Sequence, residues 1–270
     1  MKRTALLSRA LLATLALPAL LGLPPTAPAR AQEGPVDYSA WNQILGKFYD
    51  PTRGMNYKAL KANDTRTLEQ LRQRMATVDV AALPKNDQLA YWINLYNISV
   101  VATVVEGYPV KSIRDLSTDP IIRLNVFKKD TIAIKGGKIS LDTIENSKVR
   151  EGFKDPRIHF AINCAAKTCP PIRPEAFVGA RIGGQLDDQV KKFMNGPFGA
   201  KLKKGGNSLT VTVTKIMDWF KDDFEKWGGG RAAFVRKYVP ADKQQMIDAA
   251  KGNLDFEFAP YDWKLNDISK

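Results

Sequence analysis

The chain's one histidine and its two cysteines lie in a single run, Arg157-Ile158-His159-Phe160-Ala161-Ile162-Asn163-Cys164-Ala165-Ala166-Lys167-Thr168-Cys169-Pro170-Pro171. Every ordinary candidate for a proton shuttle at neutral pH, a thiolate nucleophile or a soft metal ligand is therefore in one segment. A thiolate there can attack a carbonyl or acyl donor while His159 accepts the proton. An imidazole titrates near 6.5 without tuning, so His159 is equally suited to acid/base work. His159 with both cysteines supplies only three metal ligands and no recognisable second pair, so no metal and no cofactor is expected. The Cys164 to Cys169 spacing also differs from the two intervening residues of a thioredoxin-like redox motif.

The compartment bears on those thiols. Lys2, Arg3 and Arg9 precede an apolar stretch over residues 10–23, and Ala29-Arg30-Ala31 gives a small-x-small cleavage site. This reads as a secretory signal over residues 1–31, giving a periplasmic or secreted protein after cleavage near Ala31. The stretch is shorter than the roughly 20 residues that span a bilayer, so no transmembrane span is expected in the mature form. In an oxidising compartment two cysteines default to a Cys164–Cys169 disulfide. It would close a loop of about six residues and contribute on the order of 2 kcal/mol.

Without residues 1–31, about 239 residues remain, enough for a single domain with a true core, preceded by a short linker at 32–38. Removing Lys2, Arg3, Arg9 and Arg30 from the formal +13 leaves about +9. That charge favours anionic cell-envelope components, or simply solvates the surface. Nucleic acid is not expected, because no reading element is found.

The elements that must position the histidine–cysteine run follow from periodicity. Trp41, Ile44, Leu45 and Phe48 are at helical spacing, as are Leu68, Leu71 and Met75. Residues 87–106 are apolar almost all round, which describes a buried central helix capped by Asn86 or Asp87 and ended at Gly107 and Pro109. On it, Asn94 and Asn97 share a face and must find hydrogen-bond partners, either neighbouring loops or a polar pocket.

Residues 131–134 and 138–141 flank a glycine turn as a hairpin, and residues 141–150 form a helix carrying Glu145. Residues 157–163 read as a strand, 180–194 as a helix, 208–213 as a strand, 216–227 and 241–251 as helices and 254–259 as a strand. Gly228-Gly229-Gly230 reads as a helix stop, and no phosphate-cradling loop or nucleophile-elbow sequence is present. The fold class is α+β, helix-rich, with a small mixed sheet and a buried central helix.

Several motifs in order resemble the domain of unknown function 547 family. They are Leu89-Ala90-Tyr91-Trp92-Ile93-Asn94-Leu95-Tyr96-Asn97, Leu141-Asp142-Thr143-Ile144-Glu145, and Asp155-Pro156-Arg157-Ile158-His159-Phe160-Ala161 through Cys164, Cys169, Pro170 and Pro171. Trp219-Phe220-Lys221-Asp222-Asp223-Phe224 and Tyr261-Asp262-Trp263-Lys264-Leu265-Asn266 also fit, so the resemblance covers about residues 80–266. The family brings no established reaction. A histidine often follows its Ile-Glu pair, where this chain has Asn146, and that departure weakens any mechanism needing two imidazoles.

If the pattern marks a site, it contains His159, Cys164, Cys169, Glu145, Asn94, Asn97 and Arg157. Three readings follow: a cysteine nucleophile paired with His159 and oriented by Glu145 or an asparagine; a structural disulfide with His159 and Glu145 as acid and base; or a noncatalytic module. The module would bind an anionic or peptide ligand in a polar cleft near His159, using Arg157, Lys167 and Arg173 for charge and Trp92 and Tyr96 for flat contact. The expected role is exported and envelope-associated binding, with a cysteine- or histidine-dependent hydrolase or acyltransferase as the alternative. Strand alternation would send His159 and Asn163 to one face and Phe160, Ile162 and Cys164 to the other, an obstacle to a His159–Cys164 pair unless the strand ends or bulges.

Overall fold

The central helix spans Lys85–Gly107 and is buried on nearly every face, from Leu89 through Val105. The structure, a computed structural model, describes residues 34–117 and 125–269; the expected signal over 1–31 lies outside the described residues. The helix starts ahead of the expected cap: Pro84 occupies the N-cap position, with extended backbone and no side-chain cap bond. Asp87 sits in the first turn, where a carboxylate suits the helix dipole.

Helix Thr65–Thr77 docks on the central helix and helix Ser39–Phe48 packs against Thr65–Thr77, through the residues their spacing singles out: Leu68, Leu71 and Met75 on one, Trp41, Ile44, Leu45 and Phe48 on the other. A helix at Tyr57–Asn63 was not expected. Only Tyr57 and Leu60 of its residues are buried, so it carries little periodic signal, and Asn56 caps it by accepting from Ala59 N–H at 3.0 Å. Residues 34–38, expected as linker, bury Val36 and Tyr38 in this core.

A second core packs a three-stranded sheet against helices Ile182–Met194, Gly230–Tyr238 and Ala241–Ala249. Lys201–Gly205 pairs antiparallel with Ser208–Thr214, which pairs parallel with Leu254–Ala259, making the sheet mixed. The outer strand carries Lys201, Lys203 and Lys204, and lysines on an edge strand discourage further pairing. The expected hairpin forms between Ile132–Ile134 and Gly137–Ile139. Helical layers with sheets of two and three strands make the fold α+β.

The expected strand at 157–163 is instead a 3-10 helix, Pro156–Phe160, followed by a turn. Asp155 caps it by accepting from Arg157 N–H at 3.0 Å, and Pro156 presets the first turn. The apolar residues here feed two cores at a spacing of three: Ile158 and Ala161 enter the first, Phe160 the second. Alternation therefore does not separate His159 from Cys164.

Two further helices depart from expectation. Residues 141–150 begin as a short α-turn, Leu141–Thr143, and continue as a π-helix, Ile144–Arg150. Residues 216–227 break at Phe220 into Ile216–Trp219 and Lys221–Glu225. The glycine run that follows separates this pair from the next helix, with Gly229 and Gly230 at positive φ. Among the described residues no helix is long and apolar enough to cross a membrane.

Candidate functional site

Between the two cores lies a cavity of about 540 Å³ whose walls include Glu145, His159, Cys164 and Cys169. Four separate pieces of chain bring these side chains together. The central helix contributes Tyr96, the π-helix Glu145 and Asn146, the 3-10 helix His159, and the following loop both cysteines. Much of the remaining wall is aromatic, from Phe127, Trp219, Phe220, Tyr261 and Trp263, with Arg114, Lys128 and Asp142 as its charged members.

Buried asparagines shape the cysteine loop. Asn97 accepts from Asn163 N–H at 2.8 Å and donates to the Ala161 carbonyl at 2.9 Å. Asn163 in turn accepts from Ala165 N–H at 2.8 Å and donates to the Pro170 carbonyl at 2.7 Å. Ala165, between the cysteines, is held at φ 61°, a left-handed conformation costly for a residue with a Cβ.

The loop holds the two Sγ atoms 3.2 Å apart as free cysteines, so the expected bridge is not formed in this structure. Cys164 Sγ also contacts the Tyr261 hydroxyl at 3.1 Å. The hydrogen-bonding contact with Cys169 lowers the Cys164 thiol below its ordinary range, against the effect of burial and with help from Tyr261. Burial and the neighbouring Cys164 push Cys169 up. Of the two thiols, Cys164 is therefore the more readily ionised.

Glu145 accepts from the Tyr96 hydroxyl at 3.2 Å. Burial pushes its carboxyl up to about 7, outweighing the opposing effects of Tyr96 and Arg150. A carboxyl in that range exchanges protons at neutral pH.

His159 is 2 % exposed and stacks on Phe220 with ring centroids 4.0 Å apart. Its Nε2 lies 2.8 Å from Asp223 Oδ2. Burial works to raise Asp223, yet hydrogen bonds from His159 and Arg150 hold it well below the usual carboxylate range, so it accepts and Nε2 carries the hydrogen. Burial lowers His159 despite Asp223 and keeps the ring neutral. Nδ1 is left as a lone pair with no hydrogen-bond partner among the described residues. Arg150 clamps Asp223 from the other side at 2.8 and 3.0 Å.

Other expected site residues are placed elsewhere. Asn94 exchanges both of its hydrogen bonds with Phe177 backbone, at 2.7 and 3.0 Å. Neither it nor Asn97 lines the cavity. Trp92 is buried against Tyr91, with Lys148 over its ring. Arg157 is ion-paired with Asp155 and Asp187, and Arg173 with Glu175 and Asp188, so both cations are neutralised away from the cavity. Lys167 is exposed on the loop. Among the described residues no three histidine, cysteine or carboxylate side chains group to hold a metal.

Asp223, Arg114, Tyr261 and Trp263 were not identified as site residues. Tyr261 and Trp263 stood in a motif without an assigned role, and only folding carries them some hundred residues back to the cysteines. Comparison with curated proteins and with solved structures finds no match. Residues 80–194 match the model of the family described as protein of unknown function, DUF547, and this span holds the central helix, Glu145, His159 and both cysteines; the chain carries a domain of that family.

Proposed function

We propose that the chain is a thiol-dependent acyl hydrolase or acyltransferase with Cys164 as its nucleophile. The observation that carries this reading is the presence, in one cavity, of a thiol lowered by its partners and a carboxyl raised to about 7. Cys164 thiolate attacks a substrate carbonyl, forming a carbon–sulfur bond. The leaving amine or alcohol takes a proton from Glu145 as its bond to the acyl carbon breaks. A water, or an acceptor amine or alcohol, then loses its proton to Nδ1 of His159 and attacks the thioester, and the thiolate leaves. Asp223 steadies the imidazolium formed in that step, as the acidic member of a triad does.

The signal-like N-terminus and the charge of about +9 support an exported protein acting on an envelope component. A second reading, a Cys164–Cys169 bridge that locks the loop, is favoured by the 3.2 Å approach of the sulfurs. Alkylation of the mature protein, purified from an oxidising compartment and followed by mass spectrometry with and without reductant, separates the two. The expected result is that Cys164 alkylates without reductant, faster than a model thiol at neutral pH, and that Cys169 lags. Alkylation of both cysteines only after reduction would overturn the nucleophile reading for the resting protein and leave Glu145 and His159 as the chemical pair.

A further inference from the structure

Among the described residues, the cavity-wall cation Arg114 has no ion-pair partner. Arg114 sits on the 3-10 turn Ile113–Leu116, with its guanidinium 5.1 Å from the Trp263 ring centroid. Its Nε is buried and has no hydrogen-bond partner, and it makes no ion pair among the described residues. Its sequence neighbour Asp115 is already engaged, accepting from the backbone N–H groups of Lys111 and Ser112 at 3.2 and 3.0 Å. Arg150, Arg157 and Arg173, in contrast, each face a carboxylate. A guanidinium held against an indole with its buried Nε–H unmet is an incomplete site, because buried donors normally find acceptors.

The surroundings indicate what completes it. Arg114 and Lys128 are the cations of the wall, and Asp142 and Glu145 its carboxyl groups. These four groups sum to zero when Glu145 is ionised and to one positive charge when it is protonated, so the cavity is never net negative from them and takes up an anion with a proton on Glu145. That suits a monoanion better than a phosphate dianion, and the guanidinium fork matches the two oxygens of a carboxylate. Trp263, Trp219 and Tyr261, with centroids 4.8 to 6.0 Å apart, offer flat apolar contact beside it.

From this arrangement we infer that Arg114, with Lys128 and the face of Trp263, forms a subsite for a substrate carboxylate. The cleft therefore takes acyl compounds that bear a free carboxylate next to an apolar or planar group. The inference rests on the acyl-transfer reading for its chemistry but not for its binding, so the two can fail separately.

The test is calorimetric titration of the mature chain with N-benzoylglycinate and with its neutral amide. The carboxylate is expected to bind at least roughly tenfold more tightly, a usual margin for a charge-assisted contact. Arg114→Gln should erase that preference while leaving the affinity for the amide unchanged, which also shows that the aromatic wall has survived the substitution. Cys164→Ser should keep the preference whatever the alkylation experiment shows. Equal binding of the two probes, no binding of either at millimolar concentration, or a preference retained by Arg114→Gln would each overturn the subsite. Tighter binding of inorganic phosphate than of N-benzoylglycinate, lost in Arg114→Gln, would reassign it to phosphate.

Discussion

At the scale of single residues, Glu145 departs from ordinary behaviour in a way that can be titrated. Its folded-state value near 7 exceeds the value of about 4.3 expected in an unfolded chain, so the folded state holds the proton more tightly. The favourable contribution is complete below the unfolded value and is lost as pH rises through about 7. Glu145→Gln removes that dependence. The variant should match the native protein near pH 4 and exceed it at pH 8 to 9 by at most about 4 kcal/mol. Urea unfolding at the two pH values checks this, and an equal difference at both would show that Glu145 is not raised. The polarity and position of Glu145 were legible in the chain, but its protonation was not, because desolvation depends on neighbours supplied by distant segments.

Between elements, Asp223 does the joining. It lies on Lys221–Glu225, accepts from Arg150 at the end of the π-helix, and accepts from His159 on the 3-10 helix. Asp223→Asn weakens both contacts at once, and the expected loss of stability is about 1–3 kcal/mol for a pair that is only partly buried. Because His159 is the chain's one histidine, its imidazole signal in a proton NMR titration is free of overlap. In the native protein it should titrate below the ordinary histidine value, and in Asp223→Asn lower still, since Asp223 favours the charged ring. A midpoint that stayed put would show that the two side chains do not interact.

Periodicity revealed the long helices because one stripe or a whole surface of each is buried. It failed at residues 156–160, where a run resembling a strand serves two cores as a 3-10 turn. It also failed at the π-helix, whose widened turn has no distinct hydrophobic period. Such segments are frequent at functional sites, and here the π-helix carries Glu145 and Asn146 to the cavity.

For the whole molecule, the closing segment decides whether the cavity has a wall. Leu265 N–H donates to the Lys111 carbonyl, Asn266 N–H to the Ala165 carbonyl, and Met55 N–H to the Asn266 carbonyl, at 2.8, 3.0 and 2.9 Å. The segment thus passes between three distant parts of the chain and carries Tyr261 and Trp263 to the cysteines. Gly54 permits this threading. Its φ is 124°, and a Cβ there would run into the Asn266 carbonyl. Gly54→Ala should cost about 2–4 kcal/mol in chemical denaturation, combining backbone strain with a backbone collision; unchanged stability would mean the segment docks without that close approach.

The sequence by itself determined the helix-rich α+β class, the buried central helix and the segment that owns every thiol and imidazole, because burial periodicity and residue chemistry are written locally. Tertiary structure alone decided that Asn94 and Asn97 clamp backbone instead of lining the cleft, that Asp223 holds His159, and that Arg114 lines the cavity with no ion-pair partner among the described residues. Those outcomes depend on which distant groups meet at hydrogen-bonding range, and no local pattern records that.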